Sequence, residues 1–466
     1  MNLFRALRVD PQKSQRIAFT GAGGKTTALF QLARELANGR VATSEMRDLT
    51  RPSSVLVTAT THLGTWQVSA ADHHLIAKDL SDLNDLPAHG VILVTDEFEN
   101  DRTKSINKII LDWLCEKSKC ADLPLLIEAD GARQKPLKAP AAHEPPLPDF
   151  VDTVIVAAGL SALGKPLDEK HVHRSEIFSQ LSGLPINQAI TPESITRVLS
   201  HPQGGLKHIP AHARRIALLN QADTPELQSI GGDIARNLLD HFDSVIVGSL
   251  QQKNLQTIER CAGVILAAGE SKRFGETKQL LDWKGKPFVR HVAETALLAG
   301  LDPVLVVTGF DSARIESALN GLPVKIVHNP HYQDGQSTSI KRGISSLILS
   351  TSPKFLEFGG SREGVGAAVF LLADQPQIPV DVIRALVESH TREMQAILAP
   401  LVLEERRANP VLFDRLTFPD LLKLEGDAGG RAIFDKHRVE YLPWHDKLLL
   451  FDVDTPEDYE RLKGFE

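Results

Sequence analysis

Residues 15–39 read QRIAFTGAGGKTTALFQLARELANG. Ile17-Ala18-Phe19 is a short apolar run, and Gly21 to Gly24 form a glycine-rich turn. Leu29, Leu32, Ala33 and Leu36 then recur at the spacing of a helix with one buried face, and Asn38-Gly39 stops it. A strand, loop and helix in this order head a parallel sheet. Further short apolar runs follow at 55–59, 91–95, 123–128, 153–157, 215–219 and 244–248. Continuous runs of this length are those of strands covered on both faces. A second opening, CAGVILAAGESKRFGETKQLL at 261–281, repeats the order of apolar run, glycine-rich turn and helical pattern. Strands are expected after it at 262–267, 303–308, 324–328, 366–373, 396–400, 438–442 and 448–452. The two loops differ in chemistry, so they head two domains and are not internal repeats. The polar stretch LQQKNLQTIER, 250–260, marks the boundary, giving domains 1–257 and 258–466. Both read as doubly wound, Rossmann-like α/β domains.

Composition narrows the function. The chain has 466 residues, 42% hydrophobic and 24% charged, which excludes a disordered chain. A net charge of −7 gives no electrostatic basis for binding nucleic acid. Cys115, Cys120 and Cys261 form no CxxC pair and no disulfide framework. The longest clean apolar stretch, 364–373, is half the roughly 20 residues of a membrane helix, and MNLFRALRVDPQKSQ has no apolar signal core. A soluble cytoplasmic protein with small-molecule ligands, and neither nucleic-acid nor membrane partners, is expected.

In the first loop, Gly21, Gly23 and Gly24 let backbone N–H groups point into one concavity at a helix start. Lys25 can reach a β- or γ-phosphate, Thr26 can hold a divalent cation, and Thr27 continues the loop. The full phosphate-loop pattern requires glycine at position 19, where this chain has Phe19; the loop is a shortened form resembling that of the Mur ligases. The alternative is a glycine-rich turn with an exposed lysine. LPLLIEADG delivers Glu128 and Asp130 at a strand end, where they could hold magnesium or simply enter an Asp-Gly turn. Arg133, Lys135 and Lys138 lie among prolines, as a lid over an anion or as a solvated loop. His171 and His173 form an HxH pair, either metal ligands or plain surface histidines.

GAGGKTT, VTATTH, IEADGARQKPLKAPAAHEP and GLSALGKPLDEKHVHR together resemble the selenium-dependent hydroxylase accessory protein family, over residues 10–250. Ala59 stands in a stretch that is often all threonine there. The resemblance implies a phosphate-loop NTPase-like opening, binding of ATP or GTP, and a role in maturing a molybdenum hydroxylase, with that hydroxylase or its chaperone as partner.

The second loop offers Leu266, Ala267, Ala268, Gly269 and Ser271, small enough for close backbone approach to a nucleotide. Arg273 and Lys278 can converge on one triphosphate and neutralise departing pyrophosphate. LLADQP delivers Asp374 at a strand end, and FDVDTPEDY supplies Asp452, Asp454 and Asp458; Asp374 and Asp454 could clamp magnesium or manganese. With NPHYQDGQSTSIKRGI (329–344), NPVLF (409–413) and GDAGGR (426–431), these motifs resemble the molybdenum cofactor cytidylyltransferases. The resemblance covers 261–466 and implies a nucleotide-diphospho-sugar transferase-like fold. It implies CMP transfer from CTP to molybdopterin, with catalytic Arg273, Lys278 and Asp374. It places Gly335, Ser337 and Ser339 at the base and Asn409 and Asp427 at the acceptor; Ala408 stands where glycine is frequent. Guanylyl-transferring relatives tend to carry LAGG; this chain has LAAG, and the Ala268 methyl favours a pyrimidine. The competing readings are a cofactor-binding maturation chaperone with little turnover, and a nucleotidyltransferase using another nucleotide or a sugar or polyol acceptor.

Overall fold

The computed structural model describes residues 1–9, 14–38, 54–270, 274–349, 364–403 and 406–465. They fall into two units, one from Met1 to Ile258 and one beginning at Glu259.

The first unit is built on a sheet of β1 (Arg16–Gly21), β2 (Ser54–Ala59), β3 (His73–Ile76), β4 (Gly90–Thr95), β5 (Leu125–Glu128), β6 (Thr153–Gly159), β7 (Arg214–Asn220), β8 (Ser244–Val247) and β9 (Gln256–Ile258). Their order is β9-β8-β7-β6-β1-β5-β2-β4-β3, and every pair is parallel except β8 with β9. Alternate residues go to opposite faces. Ala18, Leu56, Ile92, Ile127 and Val154 enter one core; Ile17, Phe19, Val57, Leu93 and Ile155 enter the other, against the helix α1 (Lys25–Ala37). The stretch that reads as a polar boundary supplies β9, and Thr257 Oγ1 donates to Ala6 O at 3.1 Å, so residues 256–258 finish the first sheet.

The second unit carries β10 (Cys261–Ala267), β11 (Val304–Thr308), β12 (Lys325–His328), β13 (Ala367–Leu372), β14 (Ile397–Val402), β15 (Arg406–Arg407), β16 (Val411–Asp414) and β17 (Val439–Trp444). The order is β12-β11-β10-β13-β16-β14-β15, with β17 parallel to β14 and β16 antiparallel to both neighbours. From β10 the chain winds outward through β11 and β12, then returns to the other side of β10 as β13. That reversal opens a crevice at the strands' carboxyl ends, where ligands of open α/β sheets bind.

Two expectations are corrected. No strand forms at 448–452: Asp446 Oδ1 accepts the Leu448 N–H at 2.8 Å and starts a 3₁₀ turn, Lys447–Leu450, that buries Leu449. Nor does a helix follow the second glycine-rich loop directly. Lys278–Leu280 is a single 3₁₀ turn, a short hairpin at 282–287 follows, and the helix α2 begins only at Phe288 and runs to Leu298. The leucines that suggest helix periodicity are anchors for this turn, with Leu281 packed beside Phe288.

Candidate functional sites

In the first unit, β1 ends at Gly21, whose φ of +93° and 2.2 Å gap from an added Cβ to Ala157 O admit only glycine. Lys25 opens α1, with its side chain 4% exposed. Its Nζ donates to Glu128 Oε1 at 2.9 Å and to the Asp130 carbonyl, and lies 3.6 Å from Asp130 Oδ1. Burial alone would lower its pKa, but Glu128 and Asp130 outweigh it and hold the ammonium above its usual value. Thr26 Oγ1 donates to Glu128 Oε2 at 2.7 Å.

The two acidic candidates separate here. Glu128 lines an open cleft of about 440 Å³ with Gly23, Gly24, Lys25, Thr26 and Thr27. Asp130 lies behind it, accepting from Thr20 Oγ1 at 3.0 Å and from the Gly21 N–H at 3.1 Å, and ion-paired with Lys138 Nζ at 2.8 Å. Lys138 also meets Glu144 at 2.8 Å, and Arg174 grips Glu144 with both terminal nitrogens. Burial opposes ionisation of Glu144, yet Arg174 and Lys138 bring its carboxyl down to about 2. Of the basic loop, Lys138 is thus a buried strut, Lys135 pairs with Glu169, and Arg133 stands exposed at the cleft. The HxH pair does not converge. His171 meets Asp168 at 2.8 Å, whereas His173 is buried on a two-residue strand beside Leu137–Lys138. Among the described residues no group of three or more His, Cys, Asp or Glu is arranged to hold a metal.

In the second unit, Lys278 Nζ lies 3.0 Å from Asp454 Oδ1 and 3.7 Å from Asp374 Oδ2, and donates to Val453 O at 2.7 Å. Asp374 follows β13 on the crevice. Burial first, then the Asp452 and Asp454 carboxylates, push its pKa above the usual range, with Lys278 opposing. Leu266, Ala268, Gly269, Gly335, Ser339, Asp374 and Asp427 line one hollow. Asn409, Arg431 and Asp452 line a second, which shares Leu266, Gln336 and Leu372 with it. Ala267 faces the core instead. Gly335 has φ +109°, and a Cβ there would stand 2.3 Å from Gly426 O. Ser337 Oγ donates to that carbonyl at 2.7 Å, and Asp427 Oδ1 accepts the Gln336 N–H at 3.2 Å, so the 335–337 turn and the 426–427 loop form one wall. Asp458 caps the helix Pro456–Lys463 through Thr455. Ser271 and Arg273 lie outside the described residues.

Comparison with known proteins assigns both units. Residues 17–176 match the model of the YqeC protein family, and residues 263–441 match that of the MobA-like NTP transferase domain. The chain joins a YqeC domain to a MobA-like NTP transferase domain. The uncharacterized protein YqeC of Escherichia coli (strain K12) is 29% identical over 263 residues, covering 53% of this chain and 93% of that protein. Purine catabolism protein PucB of Bacillus subtilis (strain 168) is 33% identical over 208 residues, 43% of this chain and 95% of that protein. Nicotine blue oxidoreductase of Paenarthrobacter nicotinovorans is 29% identical over 210 residues, 43% and 95% respectively. The second domain is a nucleotidyltransferase domain.

Sequence reasoning missed the glutamines that position these groups. In the transferase domain, Gln279 Nε2 holds Gly269 O at 3.2 Å, and Gln375 Nε2 holds Asp452 Oδ1 at 2.6 Å. In the YqeC domain, Gln67 Nε2 donates to Thr26 Oγ1 at 2.9 Å. Gln375, next to Asp374, and Gln279, next to Lys278, were recoverable as buried amides flanking charged candidates; Gln67 lies 41 residues from its partner and carries no local signal.

Proposed function

We propose that the transferase domain moves CMP from CTP to the terminal phosphate of molybdopterin or its molybdenum-loaded form, releasing pyrophosphate. The YqeC domain, on the same reading, binds ATP or GTP and assists maturation of a cytoplasmic molybdenum hydroxylase. The observation that carries the first part is the convergence of Asp374 and Asp454 on the Lys278 ammonium at the mouth of the β10/β13 crevice. The carboxylates meet at one positive charge, and their oxygens are the hard donors that magnesium or manganese takes. Held there, the ion would neutralise charge at the α-phosphate.

The acceptor phosphate is already ionised, so no general base is needed. One of its oxygens attacks the α-phosphorus of CTP, the bond to the β-phosphate oxygen breaks, and the electron pair leaves with pyrophosphate. Lys278, and Arg273 from the same loop, meet the charge that develops on the leaving group. Gly335, Ser339 and the Ala268 methyl bound the base, with Ser337 bracing that wall through the Gly426 carbonyl; Asn409, in the adjoining hollow, and Asp427, which lines this one, serve the acceptor side. No covalent enzyme intermediate is required.

The test is pyrophosphate release with molybdopterin and each of the four nucleoside triphosphates, wild type against Asp374→Ala. Release with CTP that the substitution abolishes is the expected result. Equal release from both proteins removes Asp374 from the site. Tight molybdopterin binding without release makes the domain a cofactor carrier, and release with a sugar or polyol phosphate alone makes it a transferase of another acceptor.

A further inference from the structure

The YqeC cleft contains a group that phosphate chemistry does not use. Trp66 is 64% exposed, on the four-residue helix Thr65–Val68, and lines the same cleft as Gly24, Lys25 and Thr26. An indole left in water forgoes one of the largest apolar burials available to a side chain. Its placement is fixed. The Gly64 N–H donates to Gln67 Oε1 at 2.7 Å, Gln67 Nε2 donates to Thr26 Oγ1 at 2.9 Å, and Thr26 Oγ1 donates to Glu128 Oε2 at 2.7 Å. This relay locks the helix bearing Trp66 to the first turn of α1. The Thr65 N–H donates to Asp101 O at 2.9 Å, and the Thr103 N–H to Leu63 O at 2.8 Å, which brace the segment from the other side. The indole lies back over Gly64, where an added Cβ would come within 2.7 Å of Trp66 Nε1.

Arg102, bridged to Gly64 beside the Trp66 helix, and Arg133 also line the cleft, both exposed and neither ion-paired among the described residues. Arg133 and Gln134 hold successive positive φ angles of 50° and 59°, an arrangement that non-glycine residues keep only where the surroundings impose it. The Lys135 carbonyl imposes it here by accepting the Gly23 N–H at 3.1 Å, which ties this turn to the glycine-rich loop. The cleft therefore offers a planar π face at one margin, a lysine and helix start at its floor, and two guanidinium groups.

We infer that Trp66 is the stacking platform for the base of a nucleoside triphosphate whose phosphates lie on residues 24–27, with Arg102 and Arg133 facing the phosphate tail. The inference rests on the nucleotide-binding reading of the YqeC domain and adds the recognition of its ring. Stacking is tolerant of base identity, because every base presents a π face.

The test uses the full chain with magnesium and measures binding of ATP, GTP and CTP, and of tripolyphosphate, which has no ring. Trp66→Ala should weaken nucleotide binding about ten- to a hundredfold and leave tripolyphosphate within about twofold. Trp66→Phe should keep most of the affinity, and the ATP-induced fluorescence quenching of the wild type should vanish in it. Lys25→Ala should weaken both ligand types. Unchanged ATP binding in Trp66→Ala, with loss in Lys25→Ala, refutes the stacking and leaves the phosphate site standing. Quenching that persists in Trp66→Phe places the base at another tryptophan and likewise refutes the stacking. Equal loss of ATP and tripolyphosphate in Trp66→Ala makes the indole a scaffold and refutes its role as a platform. Binding unchanged in all three variants overturns the nucleotide-binding reading itself.

Discussion

Asp130→Asn should destabilise the YqeC domain by about 3–5 kcal/mol, the range for leaving a buried charge without its partner. The Asp130 and Lys138 side chains are each 1% exposed and meet at 2.8 Å, and Lys25, 4% exposed, lies 3.6 Å from the same carboxylate. Asparagine can still accept the Gly21 N–H, so the turn geometry survives and the loss is one of charge. Lys138 keeps Glu144 and the Gly131 carbonyl, which sets the effect toward the lower end of this range. For a domain of this size each kcal/mol lowers Tm by about 2–4 °C, so a fall of roughly 6–20 °C is expected. Hydrogen exchange on peptides covering 16–21 and 153–159 reads opening of this domain alone. Lys138→Met in the Asp130→Asn background should recover part of the loss. Were Asp130 instead a metal ligand kept ionised beside Glu128, neutralising it in metal-free protein would relieve repulsion and raise stability. That opposite sign would refute the strut.

Three further outcomes follow from the geometry. Gly335→Ala puts a Cβ 2.3 Å from Gly426 O at a φ of +109°, so it should separate the 335–337 turn from the 426–427 loop and raise KM for the nucleotide at least tenfold in the pyrophosphate assay. His173 is held to about 4 by burial, then by Arg174, Lys138, Arg133 and Lys135, whereas the unfolded chain takes a proton near 6.5. Its unfolded form binds the extra proton between these values, so YqeC-domain stability should fall as pH drops through that window, and His173→Gln should flatten this part of the profile. Ala268 lines the hollow proposed for the nucleotide, so Ala268→Gly should shift the ratio of kcat/KM values toward GTP by about tenfold, the scale of one close-contact methyl.

The central strands were legible because buried parallel strands are uninterrupted apolar runs, and β1, β5, β6, β10 and β13 all lie in such runs. The edges were not. His73-His74-Leu75-Ile76 faces water on one side and reads as loop, and Gln256–Ile258 looks like a linker until β8 supplies its hydrogen bonds. Among site residues, those at strand ends announce themselves: Asp374 and Glu128 terminate apolar runs. Asp130 has the same local signature as Glu128, and its long-range contacts with Thr20 and Gly21, together with the strut from Lys138, turn it inward. Trp66 was silent because an aromatic in a polar segment does not reveal which cleft it borders.

The two domains solve one problem at different burial. In each, a lysine that follows glycine-rich sequence is met by two acidic residues: Glu128 and Asp130 both at the end of β5 in the YqeC domain, and Asp374 after β13 with Asp454 after the 3₁₀ turn Lys447–Leu450 in the transferase domain. In the YqeC domain the clasp is closed to water: Lys25 is 4% exposed and Glu128 5%. In the transferase domain Lys278 is 12% exposed but Asp454 is 65% exposed, and a pair with one partner so open to solvent is worth about 1 kcal/mol. Lys278 can therefore leave Asp454 for a phosphate at little cost, as the role proposed for it at a departing pyrophosphate requires. Lys25 cannot leave Glu128 unless the ligand replaces what the carboxylate supplies, so it is built to hold rather than to follow. An amine-reactive reagent should accordingly label Lys278 much faster than Lys25 in the ligand-free chain, and nucleotide should protect Lys278. Equal labelling of the two lysines would mean that the difference in enclosure does not govern their mobility, and the assignment of one site to turnover and the other to retention would fall with it.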